Sequence, residues 1–231
     1  MILLLLAVLA YIFKPYIRLA LTPGAKTNAQ RLEQFGGLAR ARWDPYFINA
    51  HIAYPPPTVK LLAIKSERVL QVYGADKSGS NQLLRSYPIL ASSGYPGPKL
   101  KEGDGQVPEG IYPIESLNPN SLFHVALRVG YPNGVDRLQA RKDGRTDLGG
   151  DIMIHGDSVS IGCLAMGDEA AEDLFVLAAD TGLTNLTLII APLDFRKGKA
   201  VPKATRLPEW ADELYSQIKT QIAELPLSES K

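Results

Sequence analysis

A histidine and a cysteine eight residues apart are the side chains in this sequence best suited to chemistry. They stand in the run Asp151-Ile-Met-Ile-His155-Gly156-Asp157-Ser158-Val159-Ser160-Ile161-Gly162-Cys163-Leu164-Ala165-Met166. A thiol is mostly protonated near neutral pH. It becomes a nucleophile when an imidazole takes its proton or a helix N-terminus favours the anion. His155 is the candidate base. Gly162 lets the backbone approach closely, so its N–H and that of Cys163 could face a developing oxyanion. By spacing alone a second reading stays open: a strand-end histidine bonded to backbone, beside a structural thiol.

Cys163 is the one cysteine of the chain. It can form no internal disulfide and no multi-thiolate zinc site. His124, His155 and Cys163 offer three ligands for a catalytic zinc, but a fourth cluster member is missing, and no metal is expected. No glycine-rich phosphate cradle sits between a strand and a helix, and no cofactor is expected. The 25 Lys and Arg balance the 24 Asp and Glu, so no bulk charge pulls the chain toward nucleic acid.

The elements that must position the pair can be read from periodicity. Thr27 to Arg42 reads as an amphipathic helix, with Leu32, Phe35 and Leu38 at three-residue spacing, ended by Pro45 and the Pro55-Pro56-Pro57 run. From Val59 the period becomes that of strands. Val59–Lys65 and Val69–Tyr73 flank a tight turn at Glu67-Arg68, and Leu83–Leu90, Ile111–Ile114, Phe123–Val129, Asp151–His155 and Leu186–Ala191 follow. Asp168–Ala179 and Pro208–Leu225 read as helices. Cys163 is expected at or near the start of the first of these. Arg137 is read as opening a charged loop, and Arg196–Lys203 as a solvated linker. The expected fold is mainly β with flanking helices, a sandwich-like or barrel-like sheet.

Met1 to Phe13 is almost wholly apolar and closes at Lys14. Its length fits the apolar region of an export signal and falls short of a span of about 20 residues. An export signal or an uncleaved N-terminal anchor is expected over 1–22, with a buried helix as the alternative. A helix and Pro-rich linker over 23–57 follow, then a catalytic domain over 58–192, and a linker with a C-terminal helix over 193–231.

The string Ile154-His155-Gly156 followed by Ser160-x-Gly162-Cys163 resembles the signature of the L,D-transpeptidase (YkuD-type) catalytic domain. Tyr87-Pro-Ile-Leu-Ala-Ser-Ser-Gly94 is similar to the strand and loop preceding the family's T-P-x-G segment, which stands here as Val107-Pro108-Glu109-Gly110. Phe123 to Arg137 and the short His155–Cys163 interval resemble most the murein L,D-transpeptidase-like branch, which includes an enzyme detaching a lipoprotein from peptidoglycan. The resemblance runs from about Thr58 to Pro192. Two departures stand out: Ile161 occupies the place of the second histidine of the usual Ser-His-Gly-Cys, and the His-to-Cys interval is short. Both fit that branch, and both leave the second half-reaction open.

The resemblance implies Cys163 as nucleophile and His155 as base, its imidazole oriented by the Gly156 carbonyl. Gly162 and Cys163 amides would form the oxyanion hole, and Ser160 would brace the loop. His124, Tyr131 and Arg137 are the candidate substrate contacts. Arg is the natural reader of the free carboxylates of a diaminopimelate peptide, while the plain alternatives are a satisfied structural histidine and a solvated arginine. The implied partners are peptidoglycan stem peptides, with a peptidoglycan-linked protein as a further candidate. The implied location is the periplasmic cell envelope, secreted or held at the inner membrane. The alternative function is a catalytically inactive peptidoglycan-binding protein that keeps the fold.

Overall fold

A computed structural model describes residues 24–202 and 206–227. The apolar segment expected to be an export signal or anchor, 1–22, lies outside the described residues. Among the described residues no helix is long and apolar enough to cross a membrane.

Among the described residues eight strands form one sheet: β1 (Val59–Ile64), β2 (Val69–Ala75), β3 (Asn81–Pro88), β4 (Gly110–Ser121), β5 (His124–Val129), β6 (Met153–His155), β7 (Leu164–Ala165) and β8 (Leu186–Ala191). Their order across the sheet is β3-β2-β1-β8-β4-β5-β6-β7. Strand β8 enters between β1 and β4, parallel to the first and antiparallel to the second. A strand so placed is covered on both faces, which is why Leu186–Ala191 reads as an apolar run broken only at Thr187. Leu61, Ala63, Leu70, Val72, Leu188 and Ile190 belong to one core. Their alternating neighbours Leu62, Ile64, Tyr73, Ile189 and Ala191 belong to a second core on the opposite face.

The sheet also turns back on itself. Beyond β3, Ala91 forms an antiparallel bridge with Ala165 of β7, the far edge of the sheet. Ala165 N–H donates to Ala91 at 3.0 Å, and Leu90 N–H donates to the Ala165 carbonyl at 2.8 Å. This contact gives the sheet its barrel-like character and covers the otherwise open edge of β7.

Among the described residues four α-helices flank the sheet: α1 (Asn28–Ala50), α2 (Gly134–Lys142), α3 (Asp168–Thr181) and α4 (Ala211–Ala223). Helix α1 begins at a Thr27–Gln30 capping box and runs through Pro45, where the sequence predicts an end. A proline inside a helix costs about 3 kcal/mol. Here Phe35, Ala39, Trp43 and Phe47, spaced by four, form a buried stripe that spans the proline and outweighs it. Trp43 Nε1–H donates to the Asp173 carbonyl at 3.0 Å, and Arg42 pairs with the Asp173 carboxylate at 2.6 Å, so α1 is locked onto α3. Helix α4 packs on the other face through Leu214, Tyr215, Ile218 and Ile222.

Three local expectations change. The charged segment around Arg137 is helix α2 rather than a loop, started by a reciprocal Asn133–Asp136 capping box. Cys163 does not open a helix: β7 intervenes, and α3 begins only at Asp168. Arg196 is not part of a solvated linker. Its side chain is 6% exposed and pairs with fully buried Asp194 at 2.8 Å, because Tyr73 and Gln71 also accept its hydrogens.

Candidate active site

Strands β6 and β7 run parallel, with Ile154 opposite Leu164 and His155 opposite Ala165. Cys163, one residue before β7, therefore lies beside Met153, and the Met153 N–H points to its Sγ at 3.4 Å. Residues two apart in a strand share a face, so His155 emerges on the same side as Met153. The loop 156–162 thus carries the chain from the end of β6 back to the start of its parallel neighbour, returning Cys163 near the strand that bears His155.

Gly156 makes that return possible. A Cβ there would lie 2.8 Å from the Phe123 carbonyl and 3.0 Å from His124 Cβ, and would also meet Asp168 Oδ1. The Asp168 carboxylate accepts the Asp157 N–H at 2.8 Å, tying the loop to the first turn of α3. Gly162 has φ of 82°, a region L side chains rarely enter.

His155 is 2% exposed. Its Nδ1 lies 2.6 Å from the Gly156 carbonyl. A carbonyl only accepts, so Nδ1 carries the hydrogen and Nε2 keeps its lone pair for a proton. The ring stacks on Phe123 with centroids 4.6 Å apart. Burial pushes the imidazole pKa down, against the opposing pull of the Gly156 carbonyl and the Asp157 charge. Burial also pushes the Cys163 thiol up. The Met153 N–H opposes that shift, the Asp151 charge adds to it, and Lys99 opposes it. Both shifts favour the neutral forms, a protonated thiol and an uncharged imidazole. The sulfur's hydrogen-bond partners are Met153 N–H and, at 3.6 Å, the Asp151 carbonyl rather than the imidazole.

The two amides expected to hold an oxyanion each meet a serine hydroxyl. Cys163 N–H donates to Ser160 Oγ at 3.1 Å, and Gly162 N–H donates to Ser93 Oγ at 2.8 Å. Ser93 also donates to the Gly105 carbonyl. Sequence reasoning passed over Ser93 because a Ser-Ser-Gly triplet after a strand reads as a turn. It also passed over Phe123, whose contact with His155 crosses from β6 to the β4–β5 turn.

The candidate substrate contacts are placed apart from one another. His124 has φ of 72°, and its Nε2 meets Glu172 Oε1 of α3 at 2.9 Å, so its imidazole is committed there. Its ring also packs against Phe35 of α1. Tyr131 is 4% exposed, and its hydroxyl donates to the Leu148 carbonyl at 3.1 Å. Arg137 is exposed on α2, with no ion-pair partner among the described residues. Among the described residues no group of three His, Cys, Asp or Glu is arranged to hold a metal ion.

The family model of the L,D-transpeptidase catalytic domain, YkuD, matches residues 59–189, from β1 to within β8. The chain belongs to that family. Within the YkuD family it is 40% identical over 120 residues to "Putative L,D-transpeptidase YafK" of Escherichia coli, in strain K12 and in O157:H7 alike. The alignment covers 51% of this chain and 46% of the relative, so the chain spans about half the length of the curated relatives it matches. Among solved structures, the helical cell shape determining protein Pgp2 from Campylobacter jejuni aligns with a TM-score of 0.49 at 23% identity, over 59% of this chain and 48% of that one. Bd1075 from Bdellovibrio bacteriovorus aligns with a TM-score of 0.42 at 21% identity, over 72% and 56%. The YkuD match contains all of the His155–Cys163 segment together with Ser93 and Phe123.

Proposed function

We propose that this YkuD-family chain is a cysteine enzyme of the bacterial cell envelope that acts on peptidoglycan stem peptides through a thioester. The observation that carries the reading is the pairing of β6 with β7. It returns Cys163 to the strand bearing His155, whose Nδ1 is bonded at 2.6 Å to Gly156 and whose Nε2 is left to accept a proton.

The reaction follows from neutral partners. Cys163 gives its thiol proton to His155 Nε2 as the sulfur attacks an amide carbonyl, and the carbonyl oxygen takes the negative charge. Gly162 and Cys163 N–H groups would stabilise that oxygen once it displaces the hydroxyls of Ser93 and Ser160. The C–N bond breaks, the imidazolium returns the proton to the departing amine, and a thioester remains. An amine or water then attacks the thioester, His155 takes the incoming proton, and sulfur leaves and is reprotonated. An amine gives transpeptidation and water gives hydrolysis. The outcome depends on whether the closed site holds an acceptor and excludes water.

A second reading, a peptidoglycan-binding protein that retains the fold, draws on the serine hydroxyls already seated on both amides and on a sulfur bonded to backbone. One assay separates the readings. Defined muropeptides are incubated with the protein, with and without an added amine, and the products are weighed by mass spectrometry. The enzyme gives cleaved or transferred products that Cys163→Ala does not. Unchanged muropeptides with the wild-type chain would favour the binding protein, and turnover by Cys163→Ala would remove Cys163 as the nucleophile.

A further inference from the structure

A cleft of about 830 Å³ opens between the loop of residues 95–106 and residues 206–208. Tyr95, Pro96, Pro98, Leu100 and Pro208 give it apolar walls, and Tyr95 is 82% exposed. Lys101, Arg145 and Arg206 also line it. The one carboxylate in the lining, Asp104, is already neutralised by Lys99 at 2.6 Å and accepts backbone hydrogen bonds from Leu100, Lys101 and Gln106. The cleft is therefore cationic.

Arg145 is held in place before any ligand arrives. Its Nε and Nη2 donate to Asp143 at 3.1 and 2.9 Å, its Nη1 donates to the Leu100 carbonyl at 2.8 Å, and its guanidinium lies over the Trp210 ring. A guanidinium has five N–H groups, so donors remain for a guest. Lys101 and Arg206 have no ion-pair partner among the described residues.

The cleft shares a wall with the nucleophile loop. Gln106 lines it, and the Gln106 carbonyl lies 3.7 Å from where a Cβ on Gly162 would stand. Ser93 joins the same wall to the Gly162 amide through Gly105. A ligand in the cleft is thus one backbone thickness from the reacting sulfur's loop.

We infer that this cleft is a carboxylate subsite, which holds the free carboxylates of a peptide whose amide carbonyl is presented to Cys163. The inference rests on the functional reading above and moves carboxylate recognition from Arg137, which does not line the cleft, to Lys101, Arg145 and Arg206. The apolar walls fit the methylene segments that separate a stem peptide's charges. A bare phosphate would leave them uncovered.

The test measures binding apart from turnover. The Cys163→Ala chain is titrated calorimetrically with a stem peptide ending in diaminopimelate, as the free acid and with its carboxylates amidated. The titrations are repeated with Lys101→Ala and Arg206→Ala added. Free-acid affinity should fall about tenfold or more in the added double variant, while the amidated peptide binds both proteins alike. Equal free-acid affinity in both proteins, or no binding to either, overturns the subsite. So does inorganic phosphate binding with the same dependence on Lys101 and Arg206. Iodoacetamide labelling of Cys163 in the otherwise wild-type double variant checks that the nucleophile loop is undisturbed. Charge-dependent binding without turnover by the wild-type chain would remove the enzyme reading and keep the cleft. Turnover without that dependence would do the reverse.

Discussion

The ring of Phe123 lies on the imidazole of His155, centroids 4.6 Å apart and planes inclined by 26°. It keeps water from one face of the proposed base. Burial holds the His155 pKa below the ordinary imidazole value of 6.5, so the ring stays uncharged and able to accept a proton into mildly acidic solution. Phe123→Ala readmits water and should move the acid limb of the kcat/KM profile upward, toward 6.5. An acid limb that stays in place, with activity retained, would show that another group sets it.

The thiol makes a separate prediction. Burial raises the Cys163 pKa above 9.0, so only a small fraction is thiolate at neutral pH. Alkylation by iodoacetamide should quicken about tenfold for each pH unit from 7 to 8. His155→Ala should slow it at pH 7. A rate already level at pH 7 would mean that a low-pKa thiolate exists and that the neutral-pair mechanism is wrong.

Gly156→Ala tests the loop return. The new methyl would stand 2.8 Å from the Phe123 carbonyl, which is backbone and cannot swing aside. Turnover should fall by about a hundredfold or more, in line with the loss caused by a misplaced catalytic group of about 1 Å. The thermal midpoint should drop by only a few degrees. Full activity in this variant would show that the β6–β7 loop can relax without moving the imidazole.

Asp136 should impose a pH signature on stability. Desolvation raises its carboxyl pKa to about 6, against hydrogen bonds from Asn133 and Tyr112 that lower it. Between 3.8 and about 6 the folded chain holds a proton that the unfolded chain has lost. The stability this group contributes is therefore present at low pH and lost as pH rises through about 6. Denaturant titrations at pH 5 and pH 8 should show wild type losing about 1.4 kcal/mol more than Asp136→Asn, because about one pH unit of the shift lies in that window. Parallel losses in the two proteins would contradict the raised value.

Asp173 fastens α1 to the domain. Its fully buried carboxylate receives Arg42 at 2.6 Å, and Arg85 and the Tyr87 hydroxyl at 2.9 Å each. Asp173→Ala removes the anion that Arg42 and Arg85 share, leaving them Glu172 at 3.2 Å and Glu169 at 3.9 Å, and should cost about 2 kcal/mol in denaturant unfolding. Limited proteolysis should then begin within α1. A midpoint within error of wild type would mean that the apolar stripe of α1 holds it unaided.

The sequence made the strands legible where one physical rule acted alone. Alternation located β1, and an apolar run broken only at Thr187 located β8 within a residue of its ends. It misled where packing overrode a local signal, as at Pro45, which the buried Trp43 and Phe47 carry through a continuous α1. Helix α2 was hidden by its charges, although Asn133 and Asp136 spell a capping box that could have revealed it. Among the candidate site residues, His155 and Cys163 share one short segment, so their proximity could be anticipated from order alone. Ser93 and Phe123 reach the site from other strands, and contacts between distant segments leave no trace in local periodicity.

One lysine has a consequence for the whole floor of the site. The Lys65 ammonium, at the end of β1, gathers five oxygens within 3.3 Å, from Tyr95, Gly97, Gln106, Val107 and Glu109. The Glu109 carboxylate in turn takes the Gly97 N–H at 2.8 Å and the Tyr215 hydroxyl of α4 at 2.7 Å. The segment is wrapped around this cation much as a chelate wraps a metal ion, with charge attraction replacing a core that a proline- and glycine-rich stretch has too little apolar surface to build. A chelate is won or lost as a unit. The floor should therefore order in a single step once β1 and α4 are in place, and a neutral side chain at position 65 would release all five contacts together.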